Sequence, residues 1–381
     1  MLPLMALGVA LALWLGPDTL MQNSQRFWLL ALGGPGLAWL GALFLRALLY
    51  AGQMSVVEGW NEARKADLAQ RMRQGRRSQQ VLAVSLQTAL RAPDAEGHEQ
   101  QASLLAKDGH ALRTQVDWGG HMRRHSRLPY LEHETEQQLL RRVLATLLGE
   151  LTSALAAFPS DRPVELLLEI DSGMPDEITS RLWQESLVAS GIRQALTRID
   201  GSGLSVIEHW LDQRTQDQAL LLVVAIQVAP PLVEGSAESA VGLLFGNRLT
   251  QDVLLPTAYL HRPERAHELA SEGALQAVLQ ALDWVPVPVS RIGRVWITRS
   301  DSACGSVITS AMAKASLPAQ FSHDLHDVLG NPGSASPWVA IAAAVEAAAS
   351  EAVPQFLFSA AREEDASLWC AVVMPTEAAG E

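Results

Sequence analysis

The sequence predicts an α/β body whose sheets are covered by helices, carried on an N-terminal transmembrane helical hairpin. Three observations carry this. Apolar strand-like runs alternate with helical periodicities from residue 159 to near the C-terminus. Two apolar segments fill most of the first 50 residues. Arginines cluster after the second segment and are sparse in the loop between the two.

The first apolar segment, residues 2–16, has no charge but is short for a hydrocarbon core about 30 Å thick. The second, residues 27–50, is long enough and carries one charge, Arg46, near enough its end to snorkel. Trp28 and Tyr50 stand where interfacial aromatics belong. Pro35 is tolerable in a membrane helix, and Gly33, Gly34 and Gly36 would admit a close helical neighbour. A cleaved signal peptide is the rival reading of residues 2–16. It is disfavoured because the segment lacks a Lys/Arg n-region and no clean small-residue cleavage site follows. Loop 17–26 has one Asp and one Arg, whereas residues 51–77 hold Arg64, Lys65, Arg71, Arg73, Arg76 and Arg77 against three acids. The positive-inside rule then places both termini in the cytoplasm. Residues 51–78 read as a polar helical stalk leaving the bilayer.

With 381 residues the chain has ample length for a sizeable core. A net charge of −12 argues against a nucleic-acid partner. Two cysteines, Cys304 and Cys370, imply no disulfide framework, and no Cys/His cluster suggests structural zinc.

Beyond the stalk, residues 79–158 form a variable first part of the body, and 159–381 the α/β domain proper. Residues 79–90 read as a strand or short helix, and 91–133 as irregular and polar. Residues 134–158 carry leucines at helical spacing, closed by Pro159. Strands are expected at 164–170, 193–199, 219–228 and 239–247, with helices at 175–190, which Gly191 closes, and 204–213. The alternation continues with helices at 264–282, 302–316 and 337–352 and a strand at 294–299. Strands 354–361 and 367–375 close the chain as a hairpin around the charged turn 362–365.

Several clusters invite chemistry. His121, Arg123, Arg124, His125 and Arg127 form the most basic spot of the body, a candidate contact for an anion or an acidic partner; a solvated loop is the simpler account. Cys304 in DSACGS sits before a helix, where a thiol pKa can fall, although a small buried Cys is the commoner case. His323 and His326 in HDLHD could form a metal pair on a helix face, but no third ligand is evident, and helix capping and surface polarity are the simpler account. The glycine-rich turn Asp200-Gly-Ser-Gly203 precedes a helix and suits an anion, or simply a tight turn. No dinucleotide fingerprint, P-loop, GxSxG or HExxH is present.

Three segments together resemble the thiolase/β-ketoacyl synthase superfamily. ALLLVVAIQVAPP followed by AESAVGLLFGNRL is similar to the paired strands around the "GEGAxxxxL" motif of a synthase. LGNPGSASPWVAIAAAVEAA resembles the "GHxxGAAGxxxLxxA" loop and helix, and PQFLFSAA with SLWCAVVMP resembles the final hairpin. The resemblance implies a five-layered fold of two similar α/β halves. It also implies where the family's catalytic groups would stand. The nucleophilic cysteine would fall at Gly203, and the histidine of the "GHxxGAAG" loop at Asn331; the "HGTGT" histidine has no counterpart. Such a chain lacks the groups for Claisen condensation. A membrane hairpin joined to a degenerate thiolase-like domain is similar in layout to the accessory and adaptor proteins of bacterial type VI secretion that handle lipase effectors. The expectation is a cofactor-free, non-catalytic adaptor in a bacterial inner membrane. Its body would lie in the cytoplasm, its partners being the lipid bilayer and a protein such as a secreted effector. Alternatives are an acyl-thioester or lipid binder reusing the cleft, and a structural membrane subunit. A homodimer through the strand near 193–199 is a further expectation, with Arg198 a poor apolar edge.

Overall fold

The computed structural model describes residues 2–15, 24–91, 100–107, 110–214, 218–250, 253–285, 287–299, 301–360 and 367–376. Most of the loop expected at 17–26, and the whole turn at 362–365, lie outside the described residues. The chain divides into two compact units, Met1–Met72 and Arg73–Glu381.

The first unit is helical. Helix α1 (Leu2–Leu15) is apolar but only 14 residues long. Helix α2 (Ser24–Gly75) runs 52 residues, about 78 Å at 1.5 Å per residue. Among the described residues it alone is long and apolar enough to cross a membrane, by length and composition. No break separates an apolar span from a stalk. Residues 61–74 are mostly strong helix formers, and an Asp67–Arg71 ion pair of 3.0 Å spans one turn. The glycine that admits a close neighbour is Gly8, where a Cβ would stand 2.5 Å from the Ala31 carbonyl oxygen. Gly33, Gly34 and Gly36, expected to do this, have nothing within 4 Å of their Cβ positions.

The second unit is an α/β body built twice on one plan. The first half contains β1 (Ser78–Gln87), α3 (Glu136–Ala157), β4 (Val164–Ser172), α4 (Asp176–Ser190), β5 (Leu196–Arg198), α5 (Gly203–Gln213), β6 (Leu220–Val228) and β7 (Ser239–Gly246). A separate hairpin, β2 (Arg113–Val116) with β3 (Met122–His125), is inserted between β1 and α3. The second half contains β8 (Ala258–His261), α6 (Ser271–Trp284), β10 (Arg294–Thr298), α7 (Ser302–Ala315), β11 (Ser322–Asp324), α8 (Ser336–Glu351), β12 (Gln355–Ala360) and β13 (Leu368–Pro375). A two-residue strand, β9 (Glu264–Arg265), pairs with β13.

The strand order is β5-β4-β6-β7-β1 in the first half and β11-β10-β12-β13-β8 in the second. The pairing senses match as well. The first three strands of each series are parallel, and the last two join antiparallel. An antiparallel β1–β8 pairing links the halves into one sheet. Residues 79–158 therefore share a body with 159–381, since β1 lies between β7 and β8.

Three apolar clusters define the layers. Helices α3 and α4 cover the outer face of the first sheet half. Helices α6 and α7 cover the outer face of the second. Helices α5 and α8 lie in the cluster that strands of both halves share. Helix α3 starts with a capping box in which Thr135 and Gln138 bond reciprocally. It presses so closely on β7 that a Cβ at Gly242 would stand 2.7 Å from both Leu147 and Leu151. Helix α8 is Ala-rich because it is enclosed on all sides; 13 of its 16 residues are buried.

Short strands depart from the sequence reading. The helix expected from 264 begins at 271, because residues 258–265 pair with β1 and β13 as β8 and β9. The stretch 91–133, expected to be irregular, contains the β2–β3 hairpin. HDLHD is not one helix face: His323 lies in β11, and His326 follows in a separate helical turn, Leu325–Val328.

Candidate functional site

A cavity of about 390 Å³ opens beyond the C-terminal ends of β4 and β6. In open α/β sheets this is where ligands bind. Glu169 and Asp171 come from the end of β4, and Gln227 from the end of β6. Gly203 comes from the first turn of α5, and Asn331 and Gly333 from the loop before α8. The two positions that the resemblance marks as degenerate, Gly203 and Asn331, thus line one cavity.

The N-terminus of α5 is already occupied. Ser202, its N-cap residue, makes no side-chain cap. The Glu169 carboxylate, reaching in from β4, accepts the Gly203 N–H at 3.0 Å and the Trp338 indole N–H at 2.5 Å. A carboxylate at this end complements the helix dipole, so an anionic ligand here would have to displace it. The backbone before α5 needs its glycines. Gly201 has φ 127° and Gly203 φ 52°, and a Cβ on Gly201 would stand 2.7 Å from Val206.

Asn331 is a structural clamp. Its Oδ1 accepts the Gly333 N–H at 2.9 Å. Its backbone carbonyl accepts from Ala237 N–H at 2.8 Å and from the Gln227 side-chain amide at 2.7 Å. Asp171 is half-buried, and burial raises its carboxyl above the usual range.

The basic cluster separates into two groups. His121, Arg123 and Arg124 are exposed on the β2–β3 hairpin, while His125 and Arg127 are buried. The Arg127 guanidinium lies 3.9 Å from the Trp118 ring centroid and 4.0 Å from that of Tyr130, and donates to the Val116 carbonyl. Beside it the buried Glu238 accepts from Trp118 Nε1, Ala229 N and Leu128 N. Burial raises the Glu238 carboxyl, and these bonds partly offset that. Arg127 and Glu238 therefore knit loop 118–130 to the body. The Arg124 backbone N–H donates to Glu234 at 3.2 Å, which ties the hairpin to the rim of the cavity.

The remaining candidates stand elsewhere. Cys304 is fully buried in the outer core of the second half, its N–H capped by Asp301 at 2.8 Å. His323 stacks on Trp296 with ring centroids 5.1 Å apart. His326 is pushed down by burial and by the Arg299 charge. Arg299 takes both neighbouring aspartates, Asp324 at 2.5 Å and Asp327. Among the described residues no group of three His, Cys, Asp or Glu could hold a metal ion.

Sequence reasoning missed Glu169, Asp171 and Gln227. The available signal was a polar side chain inside an otherwise apolar strand. Gln227 is the single polar residue of LLLVVAIQV, and Glu169 and Asp171 end the apolar part of β4.

No family model matches the chain, and no curated protein sequence matches it. Solved structures do. A β-ketoacyl synthase from Burkholderia phymatum STM815 is 10% identical, with 79% of this chain and 100% of that one covered at a TM-score of 0.56. An oxazolomycin ketosynthase domain from Streptomyces albus JA3453 is 13% identical over 79% and 96%, at 0.52. Human mitochondrial 3-ketoacyl-CoA thiolase is 10% identical over 79% and 100%, at 0.51. Together with the duplicated strand order, they define the body as a layered, thiolase-like α/β fold. At these identities the likeness extends to the fold alone.

Proposed function

We propose that the chain is a membrane-anchored, non-condensing member of this fold that binds a protein partner at the cytoplasmic face of a bacterial inner membrane. The observation that carries it is the cavity. The positions marked by the resemblance are Gly203 and Asn331, and the α5 amide beside them is taken by Glu169. A condensing site needs a nucleophile and a group to activate it or stabilise the oxyanion; the positions that the resemblance marks for them hold a glycine and an asparagine, with a carboxylate bonded at the helix end beside them. The apolar part of α2, with α1 packed on it at Gly8, supplies the hairpin anchor, and the arginines after residue 63 favour a cytoplasmic body. The layout shared with type VI secretion adaptors makes a secreted effector the partner to look for first.

The test is cross-linking in the native host, followed by purification of the full chain from membranes. A protein partner in fixed stoichiometry is expected. Recovery of only lipid or acyl-carrier species, or of the chain outside the membrane fraction, sinks the proposal.

A further inference from the structure

The cavity of Glu169, Asp171 and Gln227 has one-sided chemistry. Its ionisable lining residues are Glu169, Asp171 and Glu234, with no Lys, Arg or His among them. Glu169 is committed to Gly203 and Trp338, and Glu234 accepts the Arg124 N–H. The Asp171 carboxylate has no hydrogen-bond or ion partner among the described residues.

An independent observation points the same way. Gln227 is only 3% exposed and lines the cavity. Its amide nitrogen lies 2.8 Å from the Ala237 carbonyl oxygen and 2.7 Å from that of Asn331. Both neighbours are acceptors only, so the nitrogen must face them and Oε1 must face away. That Oε1 receives no donor among the described residues. It is turned toward Gly333, where a Cβ would run into it and would also stand 3.1 Å from Asp171 Oδ2. An unpaired carboxylate and an unpaired amide carbonyl, carried on a side chain that is otherwise buried, therefore meet at one wall of the cavity. Both call for hydrogen-bond donors.

The donor set that fits is a guanidinium. It is planar, carries five N–H donors in a fixed fork, and sheds water more readily than an ammonium. Pro230, Pro231, Leu232 and Pro337 give it apolar walls. A metal ion fits less well, because two of the three carboxylates are already bonded to protein N–H groups.

We propose that this cavity binds a guanidinium group through the Asp171 carboxylate and Gln227 Oε1. The inference deepens the reading of the chain as a binding protein and rests on it. The group would belong either to a free small guanidine or to an arginine of the partner.

Calorimetric titration of the full chain in detergent tests this, with agmatine, N-acetyl-arginine amide, N-acetyl-lysine amide and acetyl-CoA as probes. Saturable binding of a guanidinium probe is expected, at least tenfold tighter than the lysine probe. Asp171→Asn and Gln227→Leu should each weaken it at least tenfold, and Glu177→Gln, an exposed acid on α4, should not. Asp171 makes no bond to lose, so its variant separates recognition from misfolding. Agmatine binding more tightly than the blocked arginine assigns the site to a small molecule; the reverse order assigns it to a partner's side chain. No saturable guanidinium binding, preferential binding of acetyl-CoA, or equal binding by the wild type and Asp171→Asn overturns the proposal. If guanidinium binding fails while a protein partner is still recovered from membranes, the inference falls and the reading beneath it stands.

Discussion

At the end of β4 in the first half of the body, Asp171 has no partner among the described residues, and Glu169 turns inward to hold α5. Near the end of β10, which occupies the same place in the second half, Arg299 is bound by Asp324 and Asp327. Both helices between the sheets begin on the cavity, α5 with Gly203 and α8 with Pro337, but beyond that turn α8 is buried along most of its length. One strand plan was therefore used twice, and the polar groups at its ends were spent on ion pairs in one half and left facing a cavity in the other. Duplicated topology supplies a frame; the proposed binding site in one half rests on a few side chains at strand ends.

The comparison breaks most severely if the halves are separate folding units. Leu147 on α3 and Ile308 on α7 are both buried in the outer layers, in the first and second halves. Leu147→Ala and Ile308→Ala should each cost about 2–5 kcal/mol. Both should shift a single urea transition, because the β1–β8 pairing and the shared cluster around α8 couple the halves. Two transitions that respond to different variants would show that the halves are independent.

Next in size is a titration in the helix between the sheets. Glu346 on α8 accepts the backbone N–H groups of Gln101 and Ala102 at 2.7 and 2.9 Å. Burial raises its carboxyl to about 7, against the pull of those two bonds. The folded protein therefore holds this proton more tightly than the unfolded chain does. The resulting stability is full below pH 4.5 and is lost as pH rises through about 7. The loss is on the order of 3 kcal/mol, at roughly 1.4 kcal/mol per pKa unit. Denaturant midpoints on either side of this window should fall with pH in the wild type and stay level in Glu346→Gln.

The smallest effect sharpens the site itself. Trp338→Phe removes the indole N–H from Glu169 and keeps the carboxylate's bond to the Gly203 N–H, at a cost of about 1–3 kcal/mol. The loss should appear in thermal unfolding. If stability does not change, the Glu169 bridge between β4 and α8 does not hold the cavity in shape.

The long elements were legible in the sequence for a physical reason. A buried helix such as α3 repeats its leucines over six turns, and β6 is an unbroken apolar run. The five short strands β2, β3, β8, β9 and β11 were not, because two to four residues cannot establish a period of two. The site was half legible. Motif order places Gly203 and Asn331, and the fold brings them to one cavity. Asp171 and Gln227 are 56 residues apart in sequence and meet only because β4 and β6 pair in parallel. The HDLHD stretch misled because its spacing suits a helix, while Asp324 ends a strand and caps the turn that follows. Arg127 read as a charged surface, yet it packs on Trp118 and Tyr130 beside Glu238, whose placement the local sequence does not indicate.

The central proposal is that a thiolase-like fold here carries a binding cavity in place of a condensing site. The direct measurement is the intact mass of the full chain, with free thiol release, after incubation with acetyl-CoA and with an acyl-carrier thioester. The account predicts an unchanged mass and no thiol release above buffer. A covalent acyl adduct on any side chain, formed along with a β-ketoacyl product when a malonyl donor is added, would contradict it.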